Sequence, residues 1–373
     1  MKVTHIHLRN FRNHSDSDLR FSPAINVLLG ENGQGKTNII EAISYISLTK
    51  SFYGASDGTV LQIGRESFAV EEEIETDGGN VNHVSVSFCA EPGEKDFLIN
   101  GIKPESLASV IGRFPVVVLS PEHGRVTFGG PADRRKFIDI ILSQLSRSYL
   151  TDLLEYRRVL RQRNKILTEQ RNRGALNAEV LASWNTALAE HGSKVIVRRF
   201  QFVQEFGEYV TSAYRQIAAR DEEPALMYMS SVEADPISSV EQRMSEALAR
   251  RKAEEFRRGT TLVGPHRDDL RFSLNGMNVQ EYASQGQHKT FLVALKMAEF
   301  FYLKERTAET PIFLLDDVFS ELDEQRTRNI LEVIQHIGQT IITSTDESVF
   351  RKAVAWGDTN RRFRVEKGTV KAA

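Results

Sequence analysis

The chain has 373 residues, a length that usually exceeds what one hydrophobic core serves, so we expect one large domain with a second lobe. Its composition, 40% hydrophobic and 26% charged, is typical of globular proteins. The net charge of −2 excludes a global basic excess, so any binding to nucleic acid or membranes must use local patches.

Cysteine content and hydropathy exclude further classes of protein. The single cysteine, Cys89, excludes an intrachain disulfide and a zinc site built from several thiolates. No apolar run approaches the roughly 20 residues of a membrane span, and the N-terminal residues lack the apolar core of a signal peptide. We therefore expect a cytoplasmic protein.

Strand patterns surround one helix in the first part of the chain, residues 1–121. Apolar residues alternate in "VTHIHLRNF", and "AINVLL" has the pattern of a buried strand. The segment "TNIIEAISYIS" carries isoleucines at helical spacing. The pair Asn100-Gly101 predicts a tight hairpin because both central positions favour positive φ.

Residues 122–258 read as an inserted, mainly helical lobe. Apolar residues recur three and four apart from Leu142 to Leu160, and the pattern resumes from Leu181 to Ala213. This spacing predicts two long amphipathic helices joined by a turn near Gly174. The insert is too short for a long coiled coil, so the two helices are expected to pair as a compact antiparallel lobe.

The strand pattern returns in residues 259–373, which we expect to complete the first lobe. The pair Asn275-Gly276 predicts a second hairpin. The segment "TPIFLLDD" reads as a buried strand that ends in acids, and "QTIITSTD" reads as another apolar strand. In "LVGPHRDD" we favour a turn after a strand, with Arg267 in an ion pair or at a dimer surface, over a catalytic cluster.

A glycine-rich loop between the strand "AINVLL" and the helix that follows carries the clearest chemistry. Residues 30–37 fit G-x-x-x-x-G-K-[ST], in which glycines let backbone N–H groups converge on a polyphosphate. Lys36 is expected to reach the β- and γ-phosphates of a nucleotide, and Thr37 to offer its hydroxyl to Mg²⁺. The cofactor-binding candidates are Gly30, Glu31, Asn32, Gly33, Gln34, Gly35, Lys36, Thr37 and Asn38.

Two acids at the end of a predicted strand would complete the nucleotide site. Asp316 and Asp317 follow "PIFLL", where ligands bind at the carboxyl edge of a parallel sheet. Asp316 is the candidate magnesium partner, through water, and Asp317 the candidate for polarising the attacking water. The alternative is that the paired acids only cap a helix. With Lys36, they are the catalytic candidates.

A third motif, "SQGQ", begins a strongly apolar predicted helix. Ser284, Gln285, Gly286 and Gln287 place a serine and a glycine at a helix start, which is a typical anion site. Alone, the motif would more often be a plain helix cap. Its position upstream of the aspartate pair and of Ser320 and Asp323 in "SELD" makes it a strong signal.

Together, these motifs resemble the ABC-type ATPases, in the branch of SMC-like DNA-repair proteins, and are most similar to the RecF family of recombination mediators. The segments that carry the resemblance span nearly the whole chain: "LRNFRNH", "GENGQGKTN", "GGPADRRKFID", "LVGPHRDDL", "SQGQHKT", "LLDDVFSELD" and "ITSTD". The resemblance implies an α/β fold, a P-loop ABC-type ATPase head with a mixed sheet, interrupted by the helical lobe.

The resemblance also implies an activity and partners. It implies an ATP-dependent homodimer in which Ser284 to Gln287 of one subunit act in trans on the nucleotide of the other, with Ser320 and Asp323 in the D-loop. It further implies a weak, DNA-stimulated ATPase with ATP and Mg²⁺. Finally, it implies a protein that binds duplex DNA and single/double-strand junctions, helps load RecA with RecO and RecR, and supports SOS induction and replication restart.

At two positions the chain departs from the wider ABC pattern. Asp317 stands where many relatives have the longer glutamate, so slow turnover is expected. Glu122 stands near the place of an expected glutamine. Arg12 and Thr345 are further candidates near the nucleotide, although Arg12 could equally stabilise a hairpin.

The helical insert contains a basic segment that could contact DNA. Arg157, Arg158 and Arg161 lie in the basic segment "RRVLRQRNK", which could contact phosphates; a solvated charged helix face is an equally good explanation.

The length of the insert also bears on two rival functions. An ATPase subunit of an ABC transporter carries a shorter insert, and an SMC-type organiser needs a longer arm. Both alternatives are therefore disfavoured.

Overall fold

The computed structural model describes residues 1–174, 177–218, 222–351 and 353–373. Within these ranges the strands are β1 (Lys2–Phe11), β2 (His14–Arg20), β3 (Ile25–Leu29), β4 (Ser67–Glu75), β5 (Val81–Cys89), β6 (Glu94–Ile99), β7 (Val116–Leu119), β8 (Pro224–Met229), β9 (Asp269–Leu274), β10 (Met277–Asn278), β11 (Ile312–Asp316), β12 (Thr340–Ser344), β13 (Arg361–Glu366) and β14 (Thr369–Ala372).

The α-helices of the same ranges are α1 (Lys36–Leu48), α2 (Asp57–Val60), α3 (Arg125–Phe128), α4 (Pro131–Leu145), α5 (Arg147–Arg173), α6 (Ala178–Ile217), α7 (Val240–Arg258), α8 (Val279–Tyr282), α9 (Gln285–Arg306) and α10 (Glu324–Ile334). Each of these helices is too short or too polar to span a lipid bilayer.

One compact unit contains residues 1–124, 209–222 and 284–373. It holds an antiparallel sheet of order β2-β1-β4-β5-β6 and a second sheet of order β14-β13-β3-β12-β11-β7. The second sheet is parallel from β13 to β7, and β14 is antiparallel at its edge. Because parallel strands end at the same edge, the residues that follow β3, β7, β11 and β12 lie close together.

Helix α1 lies between the two sheets of this unit, with contacts to β1 and β4 on one side and to β11 and β12 on the other. Its isoleucines, Ile39, Ile40, Ile43 and Ile46, are fully buried. Burial on both sides explains why the helix is apolar almost all round rather than along one stripe.

A second compact unit contains residues 125–208 and 223–283. The predicted long helices are confirmed as α5 and α6, and α5 ends at Gly174, which has a φ of 68°. The two helices run antiparallel, since the Arg163 Nε donates to Asn185 at 2.8 Å and the His191 Nδ1 lies 2.9 Å from Asp152.

Buried ion pairs hold this second unit together. Arg163, 1% exposed, contacts Glu255 at 2.5 Å and the Thr261 hydroxyl at 2.7 Å. Arg199 donates to Asp139 at 2.8 Å, and Arg157 donates to the other oxygen of the same carboxylate at 2.8 Å. Several arginines of the insert are therefore internal structural groups.

The units differ from the boundaries expected from sequence in three places. Residues 122–124 and 209–222 fall in the first unit, and residues 259–283 in the second. The physical reason for the placement of residues 259–283 is a long-range pairing: β9 forms an antiparallel ladder with β8, a strand inside the interval expected to be helical. No local pattern reveals such a pairing.

Smaller elements also test the sequence reading. Both Asn-Gly hairpins are confirmed: Asn100 has a φ of 52° and Asn275 of 50°, with glycine following at positive φ. The expectation that the "LVGPHRDD" turn follows a strand is wrong, because this segment follows α7 and precedes β9. There Arg267 donates to the Thr261 carbonyl at 2.9 Å.

Candidate nucleotide-binding site

The glycine-rich loop runs from the end of β3 to the first residue of α1. Gly33 and Gly35 have φ angles of 79° and 111°, a region that favours glycine. A Cβ at Gly30 would lie 2.4 Å from the Val365 carbonyl oxygen, and one at Gly35 would lie 2.5 Å from the Asn13 side chain. Glycine is therefore required by the backbone and by its close neighbours.

Residues that the sequence reasoning missed support this loop from outside. The Asn13 amide, in the β1–β2 turn, donates to the Gln34 carbonyl at 3.0 Å and accepts from Asn38 at 2.7 Å. The His14 Nε2 lies 3.0 Å from the Gly35 carbonyl, and the Gly368 N–H donates to the Gln34 carbonyl at 2.9 Å. The loop is thus held in shape by two turns distant in sequence.

Lys36 lies over the loop to which it belongs. Its Nζ donates to the carbonyls of Gly30 at 2.7 Å and Glu31 at 2.8 Å. Burial lowers the pKa of the Lys36 ammonium, while Asp317 and Asp316 oppose that shift. The ammonium is therefore already positioned at the mouth of the loop.

Asp316 ends β11 and is 3% exposed. Its Oδ1 accepts hydrogen bonds from the hydroxyls of Thr37 at 2.8 Å and Thr343 at 2.7 Å, and its Oδ2 accepts one from Tyr53 at 3.2 Å. Burial raises the pKa of the Asp316 carboxyl, and the three hydroxyl donors work against that shift. Neither Tyr53 nor Thr343 was singled out from the sequence.

Asp317 follows with a φ of 49°, which turns the chain sharply at the strand end. Its N–H donates to the Thr343 hydroxyl at 2.9 Å, and its carbonyl accepts from Ser320 at 3.0 Å. Among the described hydrogen bonds, none uses the Asp317 carboxylate. The strained backbone of Asp317 thus accompanies a carboxylate that takes part in no described hydrogen bond.

Asp323, the other D-loop candidate besides Ser320, caps α10 by accepting a hydrogen bond from the Arg326 N–H at 2.9 Å.

A cavity of about 500 Å³ opens beside the loop. Its lining residues are Leu29, Gly30, Glu31, Gln34, Thr345, Glu347, Arg364, Val365, Glu366 and Lys367. The structure therefore places the candidate Thr345 next to the glycine-rich loop.

The other two candidates near the nucleotide, Arg12 and Glu122, belong to the same unit but do not line this cavity. Arg12 donates to both oxygens of the buried Glu41, at 2.8 and 2.7 Å, and so is engaged within the protein. Glu122 lies in the turn after β7, where its charge helps to raise the pKa of Tyr53, chiefly an effect of burial.

The "SQGQ" motif forms the start of α9. Ser284 and Gln287 form a capping box, with the Ser284 hydroxyl accepting at 3.3 Å and the Ser284 N–H donating at 2.8 Å. Gln287 also donates to Glu222 at 2.8 Å. Gln285 is exposed, and Gly286 lies beside Arg326. Among the described hydrogen bonds, none joins this motif to residues 30–38.

The predicted DNA candidates lie on α5, in the second unit. Arg157 is tied to Asp139, and Arg158 donates to Glu155 at 2.8 Å. Arg161 is exposed. The three arginines therefore differ in their contacts: Arg157 and Arg158 are paired with carboxylates, and Arg161 is exposed.

The donor set suits magnesium only together with phosphate. Within the described part of the chain, no group of three or more histidine, cysteine, aspartate or glutamate side chains could hold a metal ion. Thr37 and Asp316 offer one hydroxyl and one carboxylate, both oxygen donors of the kind that Mg²⁺ prefers. The pair therefore fits an ion whose other ligands are nucleotide phosphates and water.

Comparison with known proteins places this site in a family. A family model described as the RecF/RecN/SMC N terminal domain matches residues 2–371. The DNA replication and repair protein RecF of Chloroherpeton thalassium is 42% identical over 356 residues, which cover 94% of this chain and 96% of the relative. The chain belongs to the RecF family. The corresponding protein of Salinibacter ruber is 40% identical, with 99% of this chain and 91% of the relative covered.

Solved structures agree with this family membership. A structure of the recombination mediator protein RecF with ATP in the RecFOR pathway matches with a TM-score of 0.90 at 29% identity, covering 100% of this chain and 97% of the other. An SMC head bound to a domain of ScpA matches with a TM-score of 0.59 at 12% identity, covering 100% and 98%, a likeness of fold alone. The expected fold, a P-loop ABC-type ATPase head with a helical insertion, is confirmed.

Proposed function

We propose that this chain binds and hydrolyses ATP and acts in DNA replication and repair. The observation that carries the proposal is the contact of Thr37, the last residue of the glycine-rich loop motif, with Asp316 at the end of β11. Relatives of 42% and 40% identity named as DNA replication and repair proteins, and a structural relative determined with ATP, support it.

The residues of the loop suggest how a nucleotide is held. The N–H groups of residues 30–36 would surround the phosphates, and Lys36 would exchange two carbonyl partners for phosphate oxygens. Thr37 and Asp316 would hold Mg²⁺. The chemistry supplied by that bound ion is neutralisation of phosphate charge. Asp317, whose carboxylate takes part in no described hydrogen bond, would orient the attacking water as the general base.

The site is completed by a second copy in this proposal. Ser284 and Gly286 begin α9 but have no described contact with the loop of their own chain, so they would cover the nucleotide of a partner subunit. ATP would then join two heads, and hydrolysis would release them. Because Asp317 is shorter than glutamate, hydrolysis is proposed to be slow.

Family membership supports a proposal about the pathway. We propose that the ATP-bound dimer acts with RecR and RecO at DNA gaps and junctions, helps to load RecA, and supports SOS induction and replication restart. The structure of a RecF protein described as part of the RecFOR pathway supports this assignment.

We also propose that α5 contributes phosphate contacts to DNA. Arg158, Arg161 and Lys165 are exposed and follow one another at spacings of three and four, which places them on one helix face. This set does not include Arg157, because Arg157 neutralises the buried Asp139. Contacts of this kind give affinity with little sequence readout.

The solution mass with and without ATP and Mg²⁺ tests the proposed function. The native chain is expected to double its mass with ATP, whereas Lys36→Met is expected to stay monomeric because phosphate loses its ammonium partner. Lys95→Met is the matched control, since Lys95 is a partly buried lysine of the same unit that contacts Tyr45 and Thr49 instead of the loop. A native chain that stays monomeric, even with duplex DNA present, would overturn the composite site.

A further inference from the structure

A chain of polar contacts inside the first unit connects the β1–β2 turn to Asp316. Arg12 holds both oxygens of Glu41, and Glu41 accepts a hydrogen bond from the Ser51 hydroxyl. The Ser51 oxygen accepts the Tyr53 N–H at 3.2 Å, and the Tyr53 hydroxyl donates to Asp316 Oδ2 at 3.2 Å. Each link fixes the position of the next.

The ring of Tyr53 is held as well as its hydroxyl. Its centroid lies 4.1 Å from that of Phe52, and Phe52 stacks on His123 at 6.0 Å. A phenol hydroxyl, with an ordinary pKa of about 10, is a neutral donor at physiological pH.

We infer that Tyr53 is a positioning residue for Asp316, one that fixes the carboxylate so that its Oδ1 faces Thr37 and the magnesium site. The inference rests on the proposed function and goes beyond it, because it assigns a role to a loop residue outside the recognised motifs. Oδ1 is shared by Thr37 and Thr343, whereas Oδ2 has Tyr53 as its donor among the described residues.

Two physical reasons make a tyrosine hydroxyl suited to this task. The torsion that rotates an aspartate carboxylate is broad, so a carboxylate held at one oxygen only keeps freedom to turn. A neutral donor also leaves the negative charge of Asp316 in place for a cation. Partners of this kind behind a metal ligand typically change metal affinity by about 10–100-fold when removed.

The test is a titration of nucleotide binding against Mg²⁺, read by the fluorescence of a labelled ATP analogue. Tyr53→Phe removes only the hydroxyl, and it is expected to raise the Mg²⁺ concentration for half-maximal binding by about tenfold. Binding of the analogue without Mg²⁺ is expected to be unchanged. Tyr45→Phe is the matched control, because Tyr45 is a buried tyrosine of the same unit whose hydroxyl donates to Asp57.

The outcomes separate the inference from the proposed function. A native chain that binds no analogue contradicts the proposed function and, with it, the role of Tyr53. Normal binding by the native chain with an unchanged Mg²⁺ titration for Tyr53→Phe overturns the inference alone. An equal shift in Tyr45→Phe also overturns it, since a general loosening of the loop would then be the cause. If Tyr53→Phe does not fold, Ser51→Ala decides: it keeps the Tyr53 hydroxyl but frees its backbone, and an unchanged titration overturns the inference.

Discussion

Glu72 is a charged residue type in an apolar, buried environment. It lies on β4, 2% exposed, with its side chain directed into the core of the first unit. Neither carboxylate oxygen has a hydrogen-bond partner in the described structure. Burial raises the pKa of Glu72 well above its ordinary value of 4.5, so the folded chain holds this proton to a higher pH than the unfolded chain does.

Replacing Glu72 with methionine is expected to stabilise the chain in a pH-dependent way. The unfolded chain releases this proton at a lower pH than the folded chain does, so Glu72 lowers the free energy of unfolding as the pH rises above about 4.5. Glu72→Met should therefore raise the free energy of unfolding at pH 8 by on the order of 2 kcal/mol, and by less at pH 5. Urea denaturation at both pH values measures this.

The control for this change lies on the neighbouring position of the same strand. Glu73 is partly exposed and lies 3.6 Å from His83. Glu73→Met is expected to change stability little, because exposed ion pairs contribute little. A gain for Glu72→Met that is the same at both pH values would contradict the explanation from burial.

At the scale of elements, two helices begin with the same serine cap but are proposed to differ in function. Ser284 accepts the Gln287 N–H at the start of α9, and Ser146 accepts the Tyr149 N–H at 3.2 Å at the start of α5. Loss of such a cap typically costs about 1 kcal/mol. Replacing a serine that only caps a helix would lower the free energy of unfolding by that amount and leave nucleotide-dependent behaviour unchanged.

Ser284→Ala and Ser146→Ala form a matched pair that separates capping from nucleotide contact. Both variants are expected to lose about 1 kcal/mol in the free energy of unfolding. Only Ser284→Ala is expected to lose the ATP-dependent doubling of mass, while it still binds ATP. Mass measurement with ATP and Mg²⁺ decides, and normal doubling by Ser284→Ala would remove this serine from the composite site.

At the scale of the whole molecule, the net charge of −2 means that DNA binding depends on where charges lie. The exposed face of α5 concentrates positive charge, while other arginines of the same unit, Arg163 and Arg199, are buried in ion pairs. A local patch predicts affinity that falls steeply with salt.

Reversing the charge of this patch is expected to weaken DNA binding at low salt and to reduce its salt dependence. The variant carries Arg158→Glu, Arg161→Glu and Lys165→Glu, and each lost phosphate contact should lower the slope of log affinity against log salt by about 0.9. The control carries Arg20→Glu, Arg65→Glu and Lys371→Glu, exposed residues of the first unit, with the same change in net charge. Equal losses in both variants would indicate that net charge alone matters.

The sequence by itself determined the local features of this protein. The glycine-rich loop, the acids that end β11, both Asn-Gly hairpins and the helices α5 and α6 were predictable because each depends on residues close together in the chain. Backbone conformation and amphipathic spacing are local properties. Motif order across the chain was also sufficient to indicate the family.

Only the tertiary structure decided which distant groups meet. The contacts of Tyr53 and Thr37 with Asp316 join residues 263 and 279 positions apart, and the pairing of β8 with β9 assigns residues 259–283 to the second unit. The contact of Arg12 with Glu41 likewise joins residues that no sequence pattern relates. These contacts arise because parallel strands and buried carboxylates bring together segments whose separation in sequence carries no periodic signal.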